Sequence, residues 1–452
     1  MASTYLSRTG IGSSNNQKKW TFSGWFKKST NGSELRFLTS SDNSSYDDNI
    51  RFNSNDTIEV VYNNFATLRT NRLFRDVSAY YHIVVKVDTD QALANDRVVL
   101  YINGVDERTV GGYSTSSMPN QGVTGYINYN AFYIGVTNPS ANSNHFNGIM
   151  SHVHFTDGYA YDATAFGEYD ANGVWKIKTS PSVSYGTTGF WILKDGNSVT
   201  DQSGNSNNFT VGGGTLTNTE DSPSNVFATL NALYGNGSYT FEHGNNSLEG
   251  NNTNNWGITV PATLGASSGK YYWEVRQVAG SHTDYNIFGF IQTDYSYTGS
   301  NLISTEYLNG IQTHNSTTVT VYNGTDSSTY LKIGGSQISV SDNDIVSFAL
   351  DLDNQKGWVA KNGVWCDDLS GNAGNPTTGA NALWTSSVIP SGQIYSPVSI
   401  QYYDPKCQYN FGNGYFGTTA VSSAGTNASG IGIFEYNIPT GFTALSTKGL
   451  NL

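Results

Sequence analysis

The side chains best suited to chemistry are few and scattered. His152 and His154 stand at i and i+2, on one side of an alternating strand, with Asp157 just beyond. Two imidazoles and a carboxylate so placed could ligate a metal. The nearest further histidine, His145, is set apart by the Asn147-Gly148 turn, and hydrogen bonding within the sheet is the preferred reading of the pair. Glycoside hydrolysis needs two carboxylates facing each other across a cleft. Glu168 and Asp170 alternate, but beside Tyr169 and Asn172 in what reads as a loop, and no Glu-x-Asp-x-x-Glu string occurs. Gly265-Ala266-Ser267-Ser268-Gly269 has the letters of a nucleophile elbow, which requires a strand before the serine and a helix after it; a strand, Tyr271 to Val275, follows instead. Gly212-Gly213-Gly214 lacks the strand-to-helix setting of a phosphate cradle. No enzymatic activity is expected. Trp365 and Trp384 lie beside polar loops and are the candidates for stacking on a sugar ring, with rim packing of a long loop as the preferred reading. Trp25 and Trp273 sit in alternating strands and are expected in the core. Cys366 and Cys407 are too few for a disulfide framework; two reduced, buried thiols are preferred over one bridge.

The elements that must carry these residues are strands. No window of ten or more residues keeps helical apolar spacing. Period-two patterns recur instead, as in Thr57 to Tyr62, His82 to Val87, Arg97 to Ile102 and Tyr271 to Val275, separated by turns such as Asn103-Gly104, Asp157-Gly158 and Asn362-Gly363. The composition agrees: 49 glycines and 30 tyrosines among 452 residues favour strands joined by tight turns. The fold class is all-β, two tandem antiparallel β-sandwich (jelly-roll) domains. Residues 83–105 and 345–364 repeat one design, strand, acidic turn, strand, Asn-Gly, which suggests two sandwiches of similar plan. The domains are expected at 1–215 and 256–452, with the Gly/Asn/Ser-rich stretch 216–255 as a linking segment. The net charge of −12, with no basic cluster beyond Lys18-Lys19 and Lys27-Lys28, argues against nucleic acid. No apolar run opens the chain as a signal peptide would, and none spans a membrane. A polar, strand-rich protein without an export signal would leave a cell by another route, such as lysis.

A family resemblance rests on ordered stretches. In the first domain these are Tyr5-Leu6-Ser7-Arg8-Thr9, Trp20 to Lys27, Leu100 to Gly104, His154 to Glu168, Tyr185 to Phe190 and Asp201 to Phe209. They resemble the laminin-G-like, concanavalin A-like jelly rolls of tailed-bacteriophage structural proteins. The second domain resembles a SPRY module through Gly269 to Val275, Phe288-Gly289-Phe290, the Leu350 to Trp358 hairpin and Asn410-Phe411-Gly412; the tail, Ile438 to Thr447, resembles the ending of such phage chains. Ser422 to Tyr436 reads as an insertion before the closing strand. The resemblance implies a non-enzymatic protein of the virion surface, a tail fibre or appendage meeting a host glycan. The alternatives are a capsid decoration protein or head fibre and, more distantly, a cellular glycan-binding lectin. The partners implied are other virion proteins, a host surface glycan and further copies of the chain, with no nucleic acid and no membrane insertion. Laminin-G-like folds often carry calcium on one rim, which makes Asp195 with Asp201, and Asp88 with Asp90, candidate ligands; turn aspartates bonding their own backbone are the preferred alternative.

Overall fold

The computed structural model describes all of the chain except residues 1–2, 15, 41–47, 64, 139, 195–197, 235–238, 251–252, 257–258, 279–284, 294–307, 315–317 and 324–328. Two compact units divide at Asn218 and Thr219. Both are built almost wholly of antiparallel strands, as the period-two patterns require; the α-helix Glu107–Val110 is a single turn.

In the first unit an eight-stranded sheet runs in the order Tyr113–Ser116, Phe65–Thr70, Ile58–Tyr62, Asp48–Phe52, Leu35–Ser40, Ala131–Ile134, Tyr5–Thr9 and Thr210–Gly212. It faces a six-stranded sheet ordered Phe190–Ile192, Gly148–Asp157, Lys19–Lys28, Tyr81–Asp88, Val98–Ile102 and Val105–Asp106. Alternation sends Phe22, Val85 and Phe155 of one sheet, and Phe37, Phe52 and Val60 of the other, into one core. On the six-stranded sheet the outward residues are buried too, among them Ser23, Trp25, His82, Val84 and His154. They lie beneath a strap, residues 158–187, which carries the 3-10 turn Ala163–Ala165 and the hairpin Gly167–Tyr169 with Trp175–Ile177.

In the second unit one sheet runs Tyr239–Glu242, Ser247–Gly250, Lys406–Asn410, Lys270–Val278, Ile345–Asp351, Lys356–Lys361 and Val364–Trp365. Thr443–Ala444 joins it in parallel beside Tyr271 and Tyr272. The other sheet runs Thr253–Trp256, Tyr395–Tyr403, Tyr285–Gln292, Leu308–His314 and Thr318–Asn323. Trp273, Phe288, Phe290, Phe348 and Trp384 belong to the core between them.

The stretch 216–255 is not a linker. Its strands Tyr239–Glu242 and Ser247–Gly250 belong to the second sandwich, where Leu248 is paired with Cys407 and wholly buried. Glycine and asparagine serve there as the turn between two strands: His243, Gly244 and Asn245 all hold positive φ, at 53°, 68° and 65°.

The two echoing hairpins close alike. Asn103 and Gly104 have φ of 49° and 81°, and Asn362 and Gly363 have 48° and 80°, the signs a two-residue hairpin turn needs. In each, the asparagine Oδ1 accepts a backbone N–H at the start of the neighbouring strand, that of His82 or Ile345, at 2.8 Å.

Candidate functional site

The histidine pair does not assemble a metal site. A β-bulge between Ser151 and His154 breaks the period of two, and His152 takes φ 48° within it. His152 Nδ1 bonds Ser151 Oγ at 2.8 Å, whereas His154 Nδ1 bonds Tyr185 Oη at 2.9 Å and its ring stacks on Trp191. Burial pushes the His154 imidazole well below its usual range. Asp157 accepts from Asn128 Nδ2 at 2.8 Å and from the backbone N–H groups of Thr188 and Asn16 at 3.1 and 3.2 Å. His145 bonds Asn142 Oδ1 at 3.1 Å.

The proposed calcium ligands are engaged in turns and ion pairs. One Asp201 oxygen accepts from the N–H groups of Trp191 and Ser203, at 2.8 and 2.9 Å. The other accepts from Ser203 Oγ and the N–H of Asn207, at 2.7 and 2.8 Å. The carbonyls of Gly186, Thr187, Thr188 and Gly189, groups of the kind that could ligate a cation, receive the amides of Asn205 and Asn207 and the Arg8 guanidinium. The run Asp201 to Asn208 is thus a hydrogen-bonded knot that ties the chain end of the first unit to its N-terminal strand. Asp195 lies outside the described residues. Asp88 and Asp90 pair separately, with Lys19 at 3.2 Å and Lys18 at 3.6 Å. Among the described residues no three His, Cys, Asp or Glu side chains converge as a metal site would require.

Trp384, expected on a loop surface, is wholly buried: its Nε1 donates to the Tyr322 carbonyl at 2.7 Å and its ring stands edge-on to Phe290. It cannot meet a sugar. Trp365 is half-buried against the cluster of Tyr272, Phe434 and Ile438. Cys366 and Cys407 are free and buried, which pushes both thiols up to about 12. Glu168 and Asp170 both precede a hairpin turn, each 3.9 Å from a lysine on its far side, Lys178 and Lys176.

One buried constellation went unread in the sequence. Ser23 Oγ lies 2.9 Å from His82 Nε2, while Trp175 Nε1 donates to His82 Nδ1 at 2.9 Å. Indole is a donor only, so Nδ1 must be the acceptor and Nε2 carries the proton. His82 therefore donates to Ser23 and offers it no lone pair, the reverse of what activation of a serine nucleophile requires. Burial pushes His82 down to about 3, so it is neutral. Trp25 stacks on its other flank, with centroids 4.5 Å apart.

The strap that supplies Trp175 also carries exposed aromatic rings. Over a base of Val84, Ala163 and Phe166 lie the half-buried Tyr101, Tyr161 and Trp175. Tyr159 and Tyr169 stand further out, 39% and 52% exposed. Tyr159 and Tyr161 are parallel, centroids 6.0 Å apart at 14°, and Tyr169 meets Trp175 edge-on at 4.8 Å. Trp175 fits closely: a side chain at Gly104 or Gly167 would begin 2.3 or 2.4 Å from its ring.

In the second unit Glu274 is buried beneath the insertion 422–436. One of its oxygens accepts from Tyr272 Oη and the Tyr436 N–H, at 3.0 and 2.9 Å. The other accepts from Asn410 Nδ2 and the Glu435 N–H, at 3.2 and 2.9 Å. Burial raises the group to about 7 against the lowering effect of these donors.

No known protein family and no curated protein matches the sequence. Among solved structures the chain is similar to the SPRY domain of human HERC1, at 14% identity and a TM-score of 0.29 over 40% of this chain and 96% of that one. It is similar to the TRIM65 PSpry domain, at 12% identity and a TM-score of 0.28 over 40% of this chain and 91% of that one. Stonustoxin also matches, at 12% identity and a TM-score of 0.27 over 40% of this chain and 27% of that one.

Proposed function

We propose that the chain is a non-catalytic structural protein of a tailed-phage particle surface, a fibre or appendage that contacts a host glycan. The phage setting rests on the sequence resemblance. The adhesive reading is supported by one observation above all: exposed aromatic rings on a strap that is itself bolted to a rigid sheet by Trp175 and His82. Sugar-binding proteins use such rings because an aromatic face matches the C–H face of a pyranose. His82, by its tautomer, and Asp201, by four accepted hydrogen bonds, are engaged in structural contacts, which supports a non-catalytic reading.

Adsorption tests this reading. Purified chain added in excess to the bacterium on which its phage grows should sediment as a symmetric oligomer, bind the cells and slow phage adsorption. Protein that ignores the cells but binds emptied capsids would select the decoration protein instead.

A further inference from the structure

We infer that the outer surface of the strap, Tyr159, Tyr161 and Tyr169, is a binding site for the pyranose rings of a neutral polysaccharide. The inference deepens the adhesive reading and rests on it for its biological setting.

The rings are fixed before any ligand arrives. Tyr161 N–H donates to Thr21 Oγ1 at 2.7 Å, and Thr21 Oγ1 in turn donates to the Tyr159 carbonyl at 3.1 Å. Thr156 Oγ1 donates to that same carbonyl at 2.8 Å. Both threonines are wholly buried in the six-stranded sheet. Tyr161 Oη accepts the Ser184 N–H at 3.0 Å, which fixes the far end of its ring. Gly158, at φ 87°, makes the turn that brings the pair out of the sheet. Tyr169 is held by its edge contact with Trp175, itself stacked on His82 with centroids 5.9 Å apart. Rings so held lose little freedom on binding, which is how preorganised tyrosines yield affinity.

Charge selects the ligand class. The strap around these rings carries Asp162, Glu168 and Asp170 against Lys176 and Lys178, and both lysines face carboxylates. Beside Tyr101, Arg108 is held by Asp96 and Asp106 at 3.0 and 2.6 Å. An anionic sugar would meet net negative charge, in a chain of net charge −12. A neutral pyranose meets flat rings for its C–H face and phenol and carboxylate oxygens for its hydroxyls.

Affinity electrophoresis of the full chain tests the site, in gels containing hydroxyethyl cellulose, galactomannan or dextran, with polygalacturonate as the anionic polymer. At least one neutral polymer should retard the chain, and polygalacturonate should not. Tyr159→Ala and Tyr169→Ala should each weaken that retardation by about tenfold, with cooperative melting retained because neither ring belongs to the buried core. Tyr129→Ala, 55% exposed and off the strap, should behave as the wild type. Retardation by no neutral polymer, retardation by polygalacturonate alone, or full retardation of both strap variants would overturn the site. Wild-type chain that binds host cells yet ignores every neutral polymer overturns the site and leaves adhesion standing. Chain retarded through the strap that ignores host cells does the reverse.

Discussion

Glu274 should make the second unit less stable as pH rises, and the size of the effect follows from its surroundings. In the folded chain burial holds its carboxyl at about 7, against an ordinary value of 4.5. A carboxyl raised on folding binds its proton more tightly in the folded state, so its contribution is fully present below 4.5 and is lost as pH climbs through about 7. The gap corresponds to about 3 kcal/mol. The protonated form fits the site because Tyr272 Oη, now a donor to Glu274, can turn to accept. Buried histidines act in the opposite direction: His82, at about 3 in the folded chain, withdraws stability as pH falls below 6.5. A comparison with Glu274→Gln separates the two, because the amide does not titrate and the histidines are untouched. At low pH the variant is the less stable, since with Tyr272 Oη turned to accept, its NH2 still faces the Tyr436 N–H, at about 1–3 kcal/mol for an unsatisfied group. The diagnostic quantity is the pH dependence of the difference. In urea denaturation of the full chain followed by tryptophan fluorescence, the advantage of wild type over Glu274→Gln should shrink between pH 5 and pH 8 by most of those 3 kcal/mol. An advantage that stays constant or grows over that range would refute the argument.

Asp201→Ala should destabilise the first unit by about 2–4 kcal/mol, because it orphans the donors of Trp191, Ser203 and Asn207; calcium or a chelator should leave the wild-type melting temperature in place, and a calcium-dependent shift would restore the metal reading. Gly104→Ala should lower stability by more than about 2 kcal/mol, since it adds a clash with the Trp175 ring, 2.3 Å from the new methyl, to the strain of φ 81°. Gly32→Ala, at φ 75° in open space, should show the strain alone, about 1 kcal/mol; equal losses at the two glycines in thermal denaturation would contradict the packing of the strap.

The strands were legible because their signal is local. Alternation in Tyr81–Asp88 and Ile345–Asp351, with an Asn-Gly turn closing the next strand of each, Val98–Ile102 or Lys356–Lys361, specifies local strand pairing without reference to anything distant, and the matched asparagine hydrogen bonds follow from the turn. The stretch 216–255 was misread for the converse reason. A Gly/Asn-rich turn and a Gly/Asn-rich tether have the same composition, and what separates them is the pairing of Leu248 with Cys407, far along the chain. The bulge in Gly148–Asp157 is equally silent: one inserted residue redirects His152, and period-two reasoning has no means of seeing it.

The same limit explains why Trp384 was misplaced, although Trp25 and Trp273 lie buried as their strands required. Trp384 has polar neighbours in sequence, yet its indole N–H finds the Tyr322 carbonyl and its ring the core, because a large ring is placed by what it reaches and not by what flanks it. Tyr159 and Tyr161 sit in a run that reads as the exit from a strand. Their placement depends on Thr156, just before them, and on the distant Thr21 holding the backbone outward, and Trp175 becomes an anchor only because the Asn103-Gly104 turn leaves room for its ring. Composition does reveal an abundance of tyrosine, 30 among 452 residues, and Tyr alternation inside Asp157 to Asp162 was the trace available in the sequence. Which of thirty tyrosines turn outward is a property of the strap, and the strap is defined by contacts across sheets. A site of this kind is therefore tested at the residues that hold it as well as those that touch the ligand: Thr21→Val should loosen Tyr161 and weaken polysaccharide retardation while leaving both exposed rings in the chain, and undiminished retardation would show that the rings need no such support.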